Sequence, residues 1–257
     1  MEKRLQNAIR SGEVSLGMMT FTHSPALVEI LGQSGFDWVT IDTEHTPFDM
    51  ESAEHMVRAA ETSGLTPLIR VYENNPSLIL KALDTGAQGV IVPHVDTEEA
   101  AMRAVEAVKY PPEGIRGACP GVRSARYSIP DWEVSFQERN RETLLVVLLE
   151  GKRAIENLDK IIKINGIDIV FVGPWDLSQS LGCPGSGIEH PAVANALDKV
   201  VDRAKKHNIA VMMTVTPHLT LDYALELVKH GVSCISFSAD ELLFSEICRE
   251  LAKVKTV

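Results

Sequence analysis

Eight short apolar runs, separated by stretches with helical periodicity, dominate the sequence and leave few folds open. The runs are SLGMM (15–19), WVTID (38–42), TPLIRV (66–71), GVIVP (89–93), LLVVLLE (144–150), DIVFVG (168–173), AVMMTV (210–215) and CISFS (234–238). Between them lie patterns such as SPALVEILGQSG, DMESAEHMVRAAETSG, NPSLILKALDTG and TEEAAMRAVEAVKY, whose apolar residues recur at the spacing of one helix face. A glycine stands at five of the helix-to-strand junctions, Gly35, Gly64, Gly86, Gly166 and Gly231, and Asn208 precedes the seventh run. Helices commonly end on a residue with left-handed backbone, which glycine adopts without steric cost and asparagine tolerates. Runs apolar on both faces, each fed by a helix, imply parallel strands with right-handed crossovers. The 257 residues are thus predicted to form a single (β/α)8 barrel over 1–257, with an open doubly wound sheet as the alternative. No linker or low-complexity segment marks a second domain.

The formal net charge of −10 argues against nucleic acid or an anionic membrane as the main partner. A small anionic substrate needs only a local positive site. No stretch reaches the ~18 apolar residues of a membrane span, and MEKRLQNAIRSGEVS lacks the apolar core of a signal peptide. The four cysteines, Cys119, Cys183, Cys234 and Cys248, show no metal-ligand spacing and read as reduced thiols. The expectation is a soluble, cytoplasmic protein with a small-molecule substrate.

In a barrel of this kind the chemistry lies at the carboxyl ends of the strands, and those positions carry an unusual set of charges. The second run leads into Asp42, Glu44 and His45, the third contains Arg70, the fifth ends in Glu150, and the sixth runs into Gly173, Pro174, Trp175 and Asp176. Charges beside apolar runs are costly to desolvate unless paired or metal-bound, so their convergence on one rim predicts a site. Glu150 and Asp176, on neighbouring strands, suit a hard divalent cation such as Mg²⁺ or Mn²⁺, with Co²⁺ as a further option. The plainer alternatives are a pairing of Glu150 with Lys152 or Arg153, and capping of the following helix by Asp176. Arg70 would stabilise an oxyanion, or simply pair with Asp42 or Glu44. His45 is placed to move a proton, while Asp42 and Glu44 support the loop. His94, at the end of GVIVPH, reads as a partly exposed helix-entry residue.

Taken together, GFDWVTIDTEH, PLIRV followed by LDTGAQGVIVPHV, YPPEGIRG, LLEGKRAIENL and DIVFVGPWDLSQSLG resemble the HpcH/HpaI aldolases, the metal-dependent (class II) pyruvate aldolases. The resemblance runs through nearly the whole chain. It implies a (β/α)8 barrel assembled as a homohexamer, with the carboxyl-terminal helix exchanged between subunits. It also implies reversible cleavage of a 4-hydroxy-2-oxo acid to pyruvate and an aldehyde. By the same resemblance His45 is the acid/base group and Asp84 raises its basicity. Arg70 acts on the transition state, Glu150 and Asp176 hold the metal, and the backbone around Trp175 holds the pyruvate carboxylate.

Met19 and Leu148 depart from residues found in some members, tryptophan and glutamine, and so bear on which aldehyde is accepted. Arg116, Arg123 and Arg126, on the loop after the fourth crossover helix, either meet an acidic aldehyde or are solvated. Asp84 lies near a helix carboxyl end, the face of a barrel opposite the active site. It is therefore expected to reach the His45 of a neighbouring subunit, the plainer alternative being a local cap or a pair with Lys81. Three rivals remain. A citrate-lyase-like acyl-CoA lyase would want a basic surface, a Schiff-base aldolase would want a lysine within a strand, and a silent barrel acting as a binding protein would not retain these charges.

Overall fold

The computed structural model describes residues 3–129 and 131–256. In chain order the elements are α1 (Arg4–Ser11), β1 (Ser15–Thr20), α2 (Pro25–Gln33), β2 (Trp38–Asp42), α3 (Met50–Thr62), β3 (Thr66–Arg70), α4 (Pro76–Asp84), β4 (Gly89–Val92) and α5 (Glu98–Val108). There follow α6 (Trp132–Glu142), β5 (Leu144–Leu149), α7 (Lys152–Ile161), β6 (Ile169–Val172), α8 (Pro174–Ser180), α9 (Pro191–Lys206), β7 (Ala210–Thr214), α10 (Leu221–Lys229), β8 (Cys234–Ala239) and α11 (Asp240–Ala252). The strands are all parallel and pair in sequence order, and β8 closes on β1. The closed barrel excludes the open sheet. Each apolar run became a strand because both of its faces find cover: one set of alternate residues fills the barrel and the other meets the helices.

The junctions explain how the chain returns so tightly from helix to strand. Gly35, Gly86, Gly166 and Gly231 have φ of 88°, 95°, 100° and 97°, Gly64 has 75°, and Asn208 has 55°. Helix starts are also locally encoded: Asp49, Asn75, Thr97 and Thr220 each accept a hydrogen bond from the first-turn N–H of the helix they open, which satisfies groups that otherwise lack a partner.

Two apolar layers result. Trp38, Leu68, Ile91, Leu144, Val146, Leu148, Ile169, Phe171, Met212 and Cys234 pack inside the barrel. Their strand neighbours, among them Val39, Ile69, Val90, Leu145, Val147 and Val170, pack against the helices. Helix α1 joins the inner layer through Leu5, which is fully buried and donates its N–H to Thr66 Oγ1 at 3.3 Å. The amino-terminal mouth of the barrel is thereby plugged.

Trp38 is the largest fully buried side chain, and it fits because β1 offers Gly17 opposite it. A β-carbon at position 17 would overlap the indole ring. Overpacking a rigid ring typically costs ~1–3 kcal/mol, so Gly17→Ala is expected to lower the urea midpoint by an amount in that range or more. An unchanged midpoint would show that the inner layer yields where its packing says it cannot.

Candidate functional site

The alternation that fills the barrel also builds the site. One step of two residues above the apolar layer, Trp38 and Thr40 lead to Asp42, Leu68 leads to Arg70, Leu148 leads to Glu150, and Phe171 leads to Gly173. On β2, β3 and β5 the inward positions thus change to charged residues at one level, and β6 ends there in Gly173. Asp42 and Arg70 are register partners across β2 and β3. Arg70 donates from Nε to Asp42 Oδ1 at 2.8 Å and from Nη2 to Oδ2 at 2.6 Å, the two-pronged fork that carboxylate and guanidinium geometry favour. Asp42, with no exposed surface, also accepts from the backbone N–H of Glu44 at 2.9 Å and of His45 at 3.4 Å. It therefore sets the path of the loop that carries both residues. Thr46 tightens the same turn by donating to the Asp42 carbonyl.

Arg70 Nη1 lies 3.2 Å from Glu44 Oε2. The pairing anticipated as the plain alternative for Arg70 is present, and so is the donor capacity its functional reading needs: of five N–H groups, three face Asp42 and Glu44. Glu44 Oε2 is nonetheless buried without an aligned hydrogen bond. Burial pushes the Glu44 carboxyl above its ordinary value, while Arg70 and His45 pull it down. His45 stands at the rim with 60% of its side chain exposed, its Nε2 3.9 Å from Glu44 Oε2.

Glu150 is buried, and Oε1 accepts from the His94 backbone N–H at 2.9 Å, with His94 Nδ1 at 2.7 Å from the same oxygen. Neither Lys152 nor Arg153 pairs with it; Lys152 sits at the start of α7 and faces Glu156. Burial raises the Glu150 carboxyl, and the charges of Glu44 and Asp176 push it further the same way, against His94. Gly173 leaves the room that Glu150 occupies, since a β-carbon there would come within 3.0 Å of the Glu150 Cβ and 3.2 Å of Leu148. Helix α8 begins two residues before Asp176, with Pro174 buried in its first turn and Gly173 as cap. Asp176 is thus a first-turn residue rather than the cap, placed where the helix dipole favours an anion, and Trp175 is exposed.

Oxygen donors on Glu150 and Asp176, with Glu44 as a third acid nearby, have the chemistry that hard divalent cations prefer. Clustered anions, one of them buried and resisting ionisation, fit such a cation better than they fit an empty rim. Among the described residues no group of three or more His, Cys, Asp or Glu side chains encloses a metal position. At most these two carboxylates would hold the ion, leaving its other positions for water and substrate.

Asp84 is elsewhere. It ends α4, with its carboxylate 3.6 Å from Arg116 Nη2 and 3.5 Å from Ser124 Oγ, and burial raises its pKa despite Arg116. Neither Lys81 nor His45 of the same chain is its partner among the described residues. Gly86 and Gln88, just beyond it, line a cavity together with Lys3 and Gln6 at the plugged end of the barrel. Arg116 and Arg123 border that cavity too: Arg116 is buried over the Tyr110 ring, and Arg123 is paired with Glu61. Within one chain these arginines therefore do not meet an aldehyde held near Glu150. Met19 and Leu148 are both buried in the barrel wall.

The sequence assigned two further rim residues no part in the site. His94 does not open a helix, because Thr97 caps α5; it folds back onto Glu150 instead. Its position after β4 was the available signal. Asp240 accepts from Thr20 Oγ1 at 2.9 Å, Phe21 N at 2.8 Å and Thr22 Oγ1 at 2.5 Å. It ties the exit of β1 to the start of α11, and nothing local in DELLF announces that.

Comparison with known proteins agrees with this geometry. The model of the HpcH/HpaI aldolase/citrate lyase family matches residues 16–245. A 2-keto-3-deoxy-L-rhamnonate aldolase of Klebsiella pneumoniae subsp. pneumoniae is 36% identical over 248 residues, which cover 95% of this chain and 90% of that protein. A 5-keto-4-deoxy-D-glucarate aldolase of Salmonella paratyphi A is 35% identical over 205 residues, 79% of this chain and 78% of that one. The crystal structure of an HpcH/HpaI aldolase from Desulfitobacterium hafniense DCB-2 superposes with a TM-score of 0.90 at 27% identity, covering 98% of this chain and 97% of the other. A closed parallel barrel with an acidic rim, matched over nearly its whole length, places the chain in the HpcH/HpaI aldolase/citrate lyase family, and the protein is an enzyme, a lyase of the aldolase kind.

Proposed function

We propose that the protein reversibly cleaves a 4-hydroxy-2-oxo acid into pyruvate and an aldehyde, with Glu150 and Asp176 holding a divalent cation, Mg²⁺ or Mn²⁺, for which Co²⁺ can substitute. The observation that carries this reading is the buried Glu150 beside Asp176, one strand from His94 and level with the Asp42–Arg70 fork. The relatives named above are keto-deoxy sugar acid aldolases, and we place the substrate of this chain in the same chemical class. Bound at these carboxylates, the cation would supply Lewis-acid polarisation of the 2-oxo acid. In cleavage the His45 imidazole takes the proton of the C4 hydroxyl, the C3–C4 bond breaks, and its electron pair passes toward the C2 oxygen; C3 of the resulting enolate then takes up one proton to give pyruvate, and the imidazolium gives one up. Arg70 donates hydrogen bonds to that oxygen as its charge grows, and Asp42 keeps the guanidinium in place. At the opening of α8, beyond Gly173 and Pro174, the backbone N–H groups of Trp175 and Asp176 bind the substrate carboxylate.

Release of pyruvate from 4-hydroxy-2-oxo acids, by protein stripped of metal and then resupplied with Mg²⁺ or Mn²⁺, tests the reaction. Absence of pyruvate from every such acid would sink it.

We also propose a cytoplasmic homo-oligomer, a hexamer with α11 exchanged between copies. Helix α11 has no buried residue in the single chain and exposes Leu242, Phe244, Ile247 and Leu251. In the assembly Asp84 of one copy would meet His45 of another and raise its basicity. Asp84→Asn is then expected to leave the assembly intact and to slow turnover by about tenfold or more, because the imidazole loses its anionic partner. A wild-type rate would remove Asp84 from the site.

A further inference from the structure

No step of the proposed reaction uses His94, yet the fold holds it at the site in a disfavoured geometry. Its φ is 55°, a left-handed conformation that crowds the β-carbon of any residue but glycine. What stabilises that turn is visible at Glu150. The His94 backbone N–H and ring Nδ1 converge on one oxygen, Oε1, at 2.9 and 2.7 Å. A contact that short needs a proton between the two atoms, and Nδ1 is the ring nitrogen that shares it with Oε1. Nε2, at the other side of the ring, lies 3.7 Å from Glu44 Oε1, so the imidazole stands between two carboxylates that would otherwise repel each other directly. Val95 N donates to the Leu148 carbonyl at 3.3 Å, which ties the turn to the strand that ends in Glu150. The second carboxylate oxygen, Oε2, is turned toward Gly173: a β-carbon placed there would lie 3.5 Å from it. Gly173 caps the helix whose first turn carries Asp176.

We infer that His94 is a positioning residue, which occupies Glu150 Oε1 so that Oε2 alone is presented, toward Asp176, for a divalent cation. The inference rests on the assignment of Glu150 and Asp176 as the cation's ligands. Hydrogen-bond partners of metal-ligating groups fix their orientation, and their loss typically costs ~10–100-fold in metal affinity.

The test is titration of metal-free protein with Mn²⁺, followed by the electron paramagnetic resonance signal of the unbound ion, with no substrate and no turnover. His94→Ala is expected to weaken binding by about 10–100-fold. His94→Asn, whose amide N–H can take the place of Nδ1, is expected to stay within about threefold of wild type, a far smaller loss than that of an absent partner. His94→Gly removes the ring and the backbone crowding together. It should bind Mn²⁺ as weakly as the alanine variant while melting at or above the wild-type temperature, an outcome that relief of strain alone would not give. Wild-type affinity in His94→Ala would overturn the inference. So would rescue by His94→Gln but not by His94→Asn, since the glutamine amide reaches toward Nε2 and would mark His94 as a ligand itself. Glu150→Gln separates the two levels of the argument. If it binds Mn²⁺ as wild type does, the ligand assignment falls and this inference falls with it. If it loses affinity while His94→Ala keeps it, only the role given to His94 falls.

Discussion

Arg70→Ala is expected to lower kcat by about 10²–10³-fold, the usual loss when one donor to a developing oxyanion is removed. KM for the 2-oxo acid should change far less, because the oxygen gains its full charge only as the bond breaks. The same change should also weaken the fold. Asp42 has no exposed surface and directs both prongs of its carboxylate to Arg70. Removing one partner of a buried pair leaves the other charge uncompensated, at about 3–5 kcal/mol. The two effects can be parted with Arg70→Lys, which keeps the charge beside Asp42 but loses the planar fork. It should recover much of the stability and little of the rate. Steady-state kinetics with a urea midpoint on the same samples decides the matter. A rise confined to KM would make Arg70 a residue for ground-state binding.

Glu150→Gln is expected to abolish metal-dependent turnover, with no recovery in excess Mg²⁺ or Mn²⁺. The shape of the side chain is kept and the anionic ligand is lost. Stability should move in the opposite direction when metal is withheld. Burial raises the Glu150 carboxyl above the 4.5 of an unburied glutamate, so the fold binds this proton more tightly than the unfolded chain does. Its contribution is fully present below about pH 4.5 and is lost as pH rises through the folded value. Metal-free wild type should therefore lose stability relative to Glu150→Gln between acid and neutral pH, and saturating Mn²⁺ should restore the wild type alone. Equal melting curves for both proteins across that range, with and without Mn²⁺, would mean that Glu150 carries neither a buried charge nor a metal.

The barrel was legible because its signals are local. Both faces of each strand are apolar, and the left-handed junctions need glycine or asparagine just past the helix end, two residues beyond it everywhere but at Gly166. The rim was legible for the same reason: Asp42, Arg70 and Glu150 each interrupt or end an apolar run in their own strand. What escaped was set by neighbours distant in sequence. The nearest bases in the chain to Glu150 are Lys152 and Arg153, but its partner is His94, 56 residues earlier, brought alongside by the pairing of β4 with β5. Arg116 and Arg123 sit on a loop whose course depends on Tyr110, Glu61 and Asp84 rather than on its own residues. Helix α1 was not legible, because its use as a plug depends on where Leu5 lands. The plainer alternative for Asp176, a helix cap, fails because Pro174 is the first helical residue, a position proline favours, and Gly173 is the cap.

The Asp42–Arg70 fork also acts as a proofreader of assembly. Because the two residues face each other across β2 and β3, a slip of one residue between those strands would turn one charge into the apolar layer beneath the helices. Two stranded charges cost several kcal/mol each, a large part of the ~5–15 kcal/mol that holds a typical domain together. A misthreaded barrel of this sequence would therefore fail to persist as a compact, inert species. Any molecule that survives as a folded barrel already has its arginine in place, so in assembled, metal-loaded protein the active fraction should track the folded fraction.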